Sequence, residues 1–253
     1  MPENDARISP MQGFLAVLSL LSRLPLPRLP PAAFAATPRM VWAFPLAGAL
    51  LGSLAALGGA LALALGLPAP ISAGIVLALL MLLSGAMHED GLADCFDGFW
   101  GGHSPARRLE IMKDSQIGSY GVLALILVTG LRWLALTSLI AHSLWPVILA
   151  AALSRSLLPL LMASMKQARD AGLARSVGQP SLNAAFTALA IGAALTFLLS
   201  GAATFLILPL ALAVTLALRH LALRKIGGQT GDVLGAAQQM SEVTILLCLV
   251  SLG

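Results

Sequence analysis

Seven apolar runs, each about 17–25 residues long and nearly free of charge, recur along this chain and decide what it can fold into. A backbone inside hydrocarbon must satisfy its own N–H and C=O groups, which a single segment does only as a helix. The runs fall at about 41–65, 71–87, 120–140, 146–165, 182–200, 202–218 and 232–252. The expected fold class is therefore all-α, a polytopic integral membrane helical bundle with about seven transmembrane helices. Composition excludes a soluble domain of 253 residues: hydrophobic residues make up 58% and charged residues 10%, against roughly 25% charged in soluble proteins. Glycine and alanine inside the runs allow helices to approach closely, since lipid offers no hydrophobic drive for packing. One membrane-embedded domain spanning 1–253 is expected, with 1–39 and 88–118 outside the spans.

The basic residues alternate. Arg7, Arg23, Arg28 and Arg39 precede the first run, and Arg107, Arg108 and Lys113 follow the second. Lys166, Arg169 and Arg175 follow the fourth, and Arg219, Arg224 and Lys225 the sixth, while the intervening connections carry none. The positive-inside rule places these loops and the N-terminus in the cytoplasm and the C-terminus outside. The net charge of +4 thus reflects topology, and nucleic acid is not an expected partner. Residues 11–21 are too short to cross a core of about 30 Å. Glu3 and Asp5 ahead of them are wrong for a signal peptide, so an uncleaved interfacial or re-entrant segment is expected. Cys95 and Cys248 lie near opposite faces and offer neither a disulfide framework nor zinc spacing.

The carboxylates crowd the same face, densest in His88-Glu89-Asp90-Gly91-Leu92-Ala93-Asp94-Cys95-Phe96-Asp97-Gly98. If the second span continues as helix, Asp90, Asp94 and Asp97 point at about 0°, 40° and −20°, one stripe. Like charges so spaced repel, more strongly beside a low-dielectric membrane, and call for a counterion. Hard oxygen ligands suit Mg²⁺, with Glu89 a weaker ligand off the stripe. The bland alternative is a solvated acidic helix end. Gly91, Ala93, Gly98, Gly101 and Gly102 would leave backbone open for a bulky ligand, and His88 is either catalytic or supporting.

Ser104-Pro105 marks a helix start and Gly118 a stop. Arg107 and Arg108 face either phosphates or lipid headgroups, and Asp114-Ser115 with Gly118 and Gly121 resembles an anion-handling loop. Arg155, inside span four, is costly in a membrane without a partner; a phosphate or an acidic-cluster carboxylate is the expected one. Arg132 in span three snorkels or pairs structurally, and Glu242 in span seven also needs a partner. The glycine-rich turn Gly227-Gly228-Gln229-Thr230-Gly231-Asp232 opens a helix, a natural anion site, with Asp232 a cap or a ligand.

Three segments together resemble the cobalamin synthase, or adenosylcobinamide-GDP ribazoletransferase, family. They are Leu21-Ser22-Arg23-Leu24-Pro25-Leu26-Pro27, the acidic segment continuing from Arg108 through Lys113-Asp114-Ser115 to Gly118, and Gly231-Asp232-Val233-Leu234-Gly235-Ala236-Ala237 with Glu242. Cys95 and Lys113 depart from the more usual family residues without touching a carboxylate. The resemblance implies Mg²⁺-dependent transfer in which the 3′-hydroxyl of α-ribazole, or of its 5′-phosphate, attacks the β-phosphorus of adenosylcobinamide-GDP and GMP leaves. In-line transfer of this kind rests on positioning and charge neutralisation. From that chemistry Asp90, Asp94, Asp97 and Glu89 are expected metal ligands and Asp97 or Asp114 the base. Arg108, Lys113, Ser115, Arg155, Gly231 and Asp232 are expected around the phosphates. The expected partners are the two substrates and the bilayer of a bacterial inner membrane, with the active site facing the cytoplasm and a homo-oligomer allowed. Two other readings compete. A CDP-alcohol-type phosphotransferase would want Arg where Asp94 stands and a later Asp-x-x-x-Asp. A cation-coupled transporter would want repeated halves and midplane charges.

Overall fold

The computed structural model describes residues 8–169, 172 and 177–253. Glu3, Asp5, Arg7, Asp170 and Arg175 lie outside the described residues. The described chain is helical: α1 Pro10–Leu21, α2 Pro31–Ala35, α3 Thr37–Met40, α4 Phe44–Ala64, α5 Ala69–Ser84, α6 Met87–Gly101 and α7 Pro105–Ile111. Then follow α8 Ser119–Ile140, α9 Trp145–Ser156, α10 Leu158–Ser164, α11 Leu182–Ser200, α12 Thr204–Ile226 and α13 Gly231–Ser251. Among the described residues the sole β feature is an isolated parallel bridge between Gln167 and Gln229.

Among the described residues, five helical stretches are long and apolar enough to cross a bilayer, and the bent pair α5–α6 makes a sixth if counted as one span. One of the five, Leu182–Ile226, has 45 residues, roughly twice the length a crossing needs. It folds back at Gly201 (φ 56°, ψ −130°). α11 packs on α10, and α12 returns to the same level, where Arg219 Nε donates to Ser164 Oγ at 2.9 Å. Counted as a hairpin, it brings the apolar helices to the seven expected. The spans Trp145–Ser164 and Gly231–Ser251 are 78% and 72% buried, against 17–44% for the other three of the five, so α9–α10 and α13 form the centre and the others face lipid. Close approach of small residues builds that centre: a Cβ on Gly52 of α4 would lie 2.9 Å from the Ile148 Cα of α9.

The second span does not run on into the acidic segment as the apolar pattern suggested. α5 stops at Gly85 (φ 68°), and the next residue, Ala86, is also left-handed (φ 55°), the one non-glycine so placed among the described residues. Ala86 N donates to Met81 O at 2.7 Å, closing the end of α5. A left-handed alanine costs about 1–2 kcal/mol, and such strain gathers at functional sites. The chain turns 87°, and α6 packs against α8 and α13, with Asp97 at the first turn of α8 and Gly91 at the first turn of α13. α1 is short as expected, capped by Ser9 and Gln12. α7 begins at Ser104-Pro105 as predicted, but ends at Ile111, and Gly118 instead caps α8.

Candidate active site

Gly91 brings α6 onto the start of α13. A Cβ there would lie 3.0 Å from the Asp232 Cα and 3.2 Å from Gly235, so the glycine serves helix crossing and does not open space for a ligand. Gly98 and Gly102 are likewise filled, by Met112 and Arg108. The crossing sets Asp90 and Asp94 of α6 beside Asp232 of α13. Burial pushes the Asp94 carboxyl up to about 7, with the negative charges of Asp232, Asp90 and Asp97 adding and Arg169 opposing. Asp232 is held by Arg169 Nη2 at 3.0 Å and accepts from Thr230 Oγ1 at 3.2 Å. Thr230 in turn caps α13 by accepting from Val233 N. The glycine turn ahead of it is clamped by Gln229, whose N–H donates to Lys166 O and whose O accepts from Ala168 N.

A cleft of about 190 Å³ opens between α1, α6, α10 and this turn, lined by His88, Asp90, Arg169, Thr230, Gly231 and Asp232 with apolar neighbours. His88 is 2% exposed, and its Nε2 has no hydrogen-bond partner. Arg169 was visible in the sequence solely as one more basic residue of its loop; nothing in its neighbours marks it as the partner of Asp232.

Other predicted site residues are employed elsewhere. Asp97, on the same helix as Asp90 and Asp94, accepts from Gly118 N at 2.7 Å and Gly121 N at 2.9 Å. The loop that resembled an anion site does hold an anion, and it is this side chain, capping the N-terminus of α8. Asp97→Asn is expected to lower stability by about 1–3 kcal/mol, read as a melting shift in detergent, with divalent-cation binding unchanged. Lys113, Asp114 and Ser115 are exposed; the Asp114 carboxylate accepts from Gln116 N, and none of the three lines the cleft. Arg108 Nη1 donates to Lys225 O at 3.0 Å, and Lys225 Nζ to Phe99 O at 2.9 Å, tying α6 and α7 to the end of α12.

Glu89, Arg132, Arg155 and Glu242 form a buried ion network. Arg132 donates to Glu89 at 3.1 Å, Gln239 at 2.7 Å and Glu242 at 2.6 Å. Arg155 donates to Ala151 O at 3.0 Å and stands 3.8 Å from Glu242. Gln239 Nε2 donates to Glu89, and Gln238 Nε2 to Ser154 Oγ and Glu242. Arg155 therefore answers Glu242, not a phosphate or the acidic cluster, and Glu89 turns away from Asp90 to neutralise Arg132. Two cations and two anions balance, as burial in a membrane protein demands.

The carboxylates suit a hard cation. Among the described residues no three His, Cys, Asp or Glu side chains already surround one point.

Fold and site define a polytopic helical membrane protein with an acidic cleft where its basic loops gather. The chain belongs to the cobalamin-5-phosphate synthase family, whose model matches residues 13–250. A protein of Bradyrhizobium diazoefficiens named adenosylcobinamide-GDP ribazoletransferase is 43% identical, covering 90% of this chain and 89% of its own. Proteins of the same name from Brucella canis and Azorhizobium caulinodans are each 42% identical over 92% of this chain, covering 94% and 92% of their own. No solved structure matches.

Proposed function

We propose that the chain transfers ribazole, or its 5′-phosphate, onto adenosylcobinamide-GDP and releases GMP, at the cytoplasmic face of a bacterial inner membrane. Membership of the family supports the reaction. The observation that carries the site is the meeting of Asp90, Asp232 and Arg169 at one cleft, with Asp94 close enough behind them for their charges to act on it. In the reaction a ribose 3′-oxygen bonds to the β-phosphorus, and the bridging P–O bond to the α-phosphate breaks. The hydroxyl proton passes to a carboxylate of the cluster, since Asp97 is committed to α8 and Asp114 lies off the cleft.

One or two of the Asp90, Asp94 and Asp232 carboxylates would hold Mg²⁺, which would neutralise the diphosphate when bound. Arg169 then has two acids to serve, Asp232 and a developing phosphate charge, and its planar fork suits either. The apolar cleft wall from α1 and α10 excludes water, and the strained turn at Gly85-Ala86 fixes where α6 presents Asp90.

An ionised carboxylate binds a cation, and Asp94 holds its proton up to about pH 7. Apparent Mg²⁺ affinity is therefore expected to rise as pH climbs from 6 to 8 and to level off above, with protons released on binding. Titration calorimetry in two buffers of different ionisation heat checks this; a flat profile would argue against Asp94 as a ligand. The activity itself is tested with purified protein in detergent. GMP released solely when adenosylcobinamide-GDP, ribazole and Mg²⁺ are all present supports the reading, and no such release defeats it.

A further inference from the structure

Arg23, in the first of the three family-like segments, has no part in the chemistry above. It stands at a second cleft of about 510 Å³, lined by Ser19, Ser22, Arg23, Phe34, Thr37 and Ser84 among others. This cleft shares Leu20, Met87 and Val177 with the reaction cleft, so the two adjoin beside the α5–α6 break. Its volume lies within the roughly 300–1,000 Å³ usual for small-molecule sites, whereas the reaction cleft is smaller.

Arg23 is placed deliberately. Its backbone N–H donates to Leu83 O at 2.7 Å. Its side chain then runs over Gly85, where a Cβ would lie 3.2 Å from Cδ and nearer still to Nε. Gly85 thus allows both the turn and the passage of the arginine. Among the described lining residues Arg23 alone is charged, and among the described residues it makes no ion pair. A free guanidinium fork beside hydroxyls suits a phosphate monoester, and Phe34 at the same cleft, 44% exposed, offers a face on which an aromatic base can stack.

Resting on the function proposed above, we propose that the second cleft seats the acceptor nucleoside and that Arg23 holds its 5′-phosphate, making this residue the determinant of phosphorylated over free ribazole.

The test measures KM for ribazole and ribazole 5′-phosphate separately in wild type, Arg23→Met and Arg23→Lys. The assays are run in detergent and in vesicles with and without anionic lipid. The expected result is a rise of about 10–100-fold in KM for the phosphorylated acceptor in Arg23→Met, partial recovery in Arg23→Lys, and a KM for free ribazole within about two-fold of wild type. Equal rises for both acceptors, no rise for either, or a difference confined to anionic vesicles would each overturn it, the last pointing to a lipid headgroup on Arg23. Calorimetric binding of the two acceptors runs alongside. Arg23-dependent binding of ribazole 5′-phosphate without GMP release upholds this site while defeating the reaction; binding of neither acceptor by the wild type overturns the site.

Discussion

Asp94→Asn is expected to lower Mg²⁺-dependent GMP release by about 10²–10³-fold, the usual loss when one preorganised charge-stabilising group is removed. The substitution keeps shape and removes the charge that burial and three neighbouring carboxylates already hold near its limit. Because neutralising Asp94 relieves repulsion within the cluster, the variant should melt no lower than wild type, and activity and stability should part company. Asp97→Asn should do the reverse, weakening the α8 anchor while leaving cation binding alone. Activity within a few-fold of wild type in Asp94→Asn, with the protein monodisperse in detergent, would remove Asp94 from the site.

The second large effect is structural. Glu242→Ala leaves Arg132 and Arg155 buried against Glu89 alone, and breaking a buried pair by removing one partner costs about 3–5 kcal/mol. Arg132 is 1% exposed and Arg155 2%, so neither reaches solvent without unpacking α8 from α13 or α9 from α13. Glu242→Ala combined with Arg155→Met removes one charge of each sign and should recover part of the loss, a coupling that a double-mutant cycle with the two single variants measures. Thermal unfolding in detergent gives both numbers. If Glu242→Ala melts within a degree or two of wild type, the network is not the clamp described. The clamp also bears on function, because Glu89 adjoins Asp90 on α6: loosening it should displace the acidic face of that helix and raise the Mg²⁺ concentration needed for half-maximal activity.

How far the sequence leads depends on the range over which each feature acts. The helices, their approximate limits and the gathering of basic loops at one end follow from local hydropathy and charge, and the structure keeps them. The α5 stop at Gly85 falls inside the apolar run at about 71–87, so hydropathy carried the helix past a left-handed glycine that ends it. Asp90, Asp94 and Asp97 do share one helix, as their spacing indicated. Spacing could not reveal that Asp97 faces the N-terminus of α8, because its partners lie 21 and 24 residues away. Arg155 was legible as a buried charge needing an anion, and Glu242 as one needing a cation, but not as partners of each other.

The sequence by itself determined that this chain is a helical membrane bundle with its acids at one face, because burial of apolar runs and the cost of charge in lipid act residue by residue. Tertiary structure alone decided which acids serve the cleft. The Gly91–Gly235 crossing carries Asp232 and its partner Arg169 to Asp90 and Asp94, while Asp97 and Glu89 are drawn to a helix terminus and a buried arginine. A carboxylate's role is set by the charges and donors that packing brings to it, and no one-dimensional pattern records those.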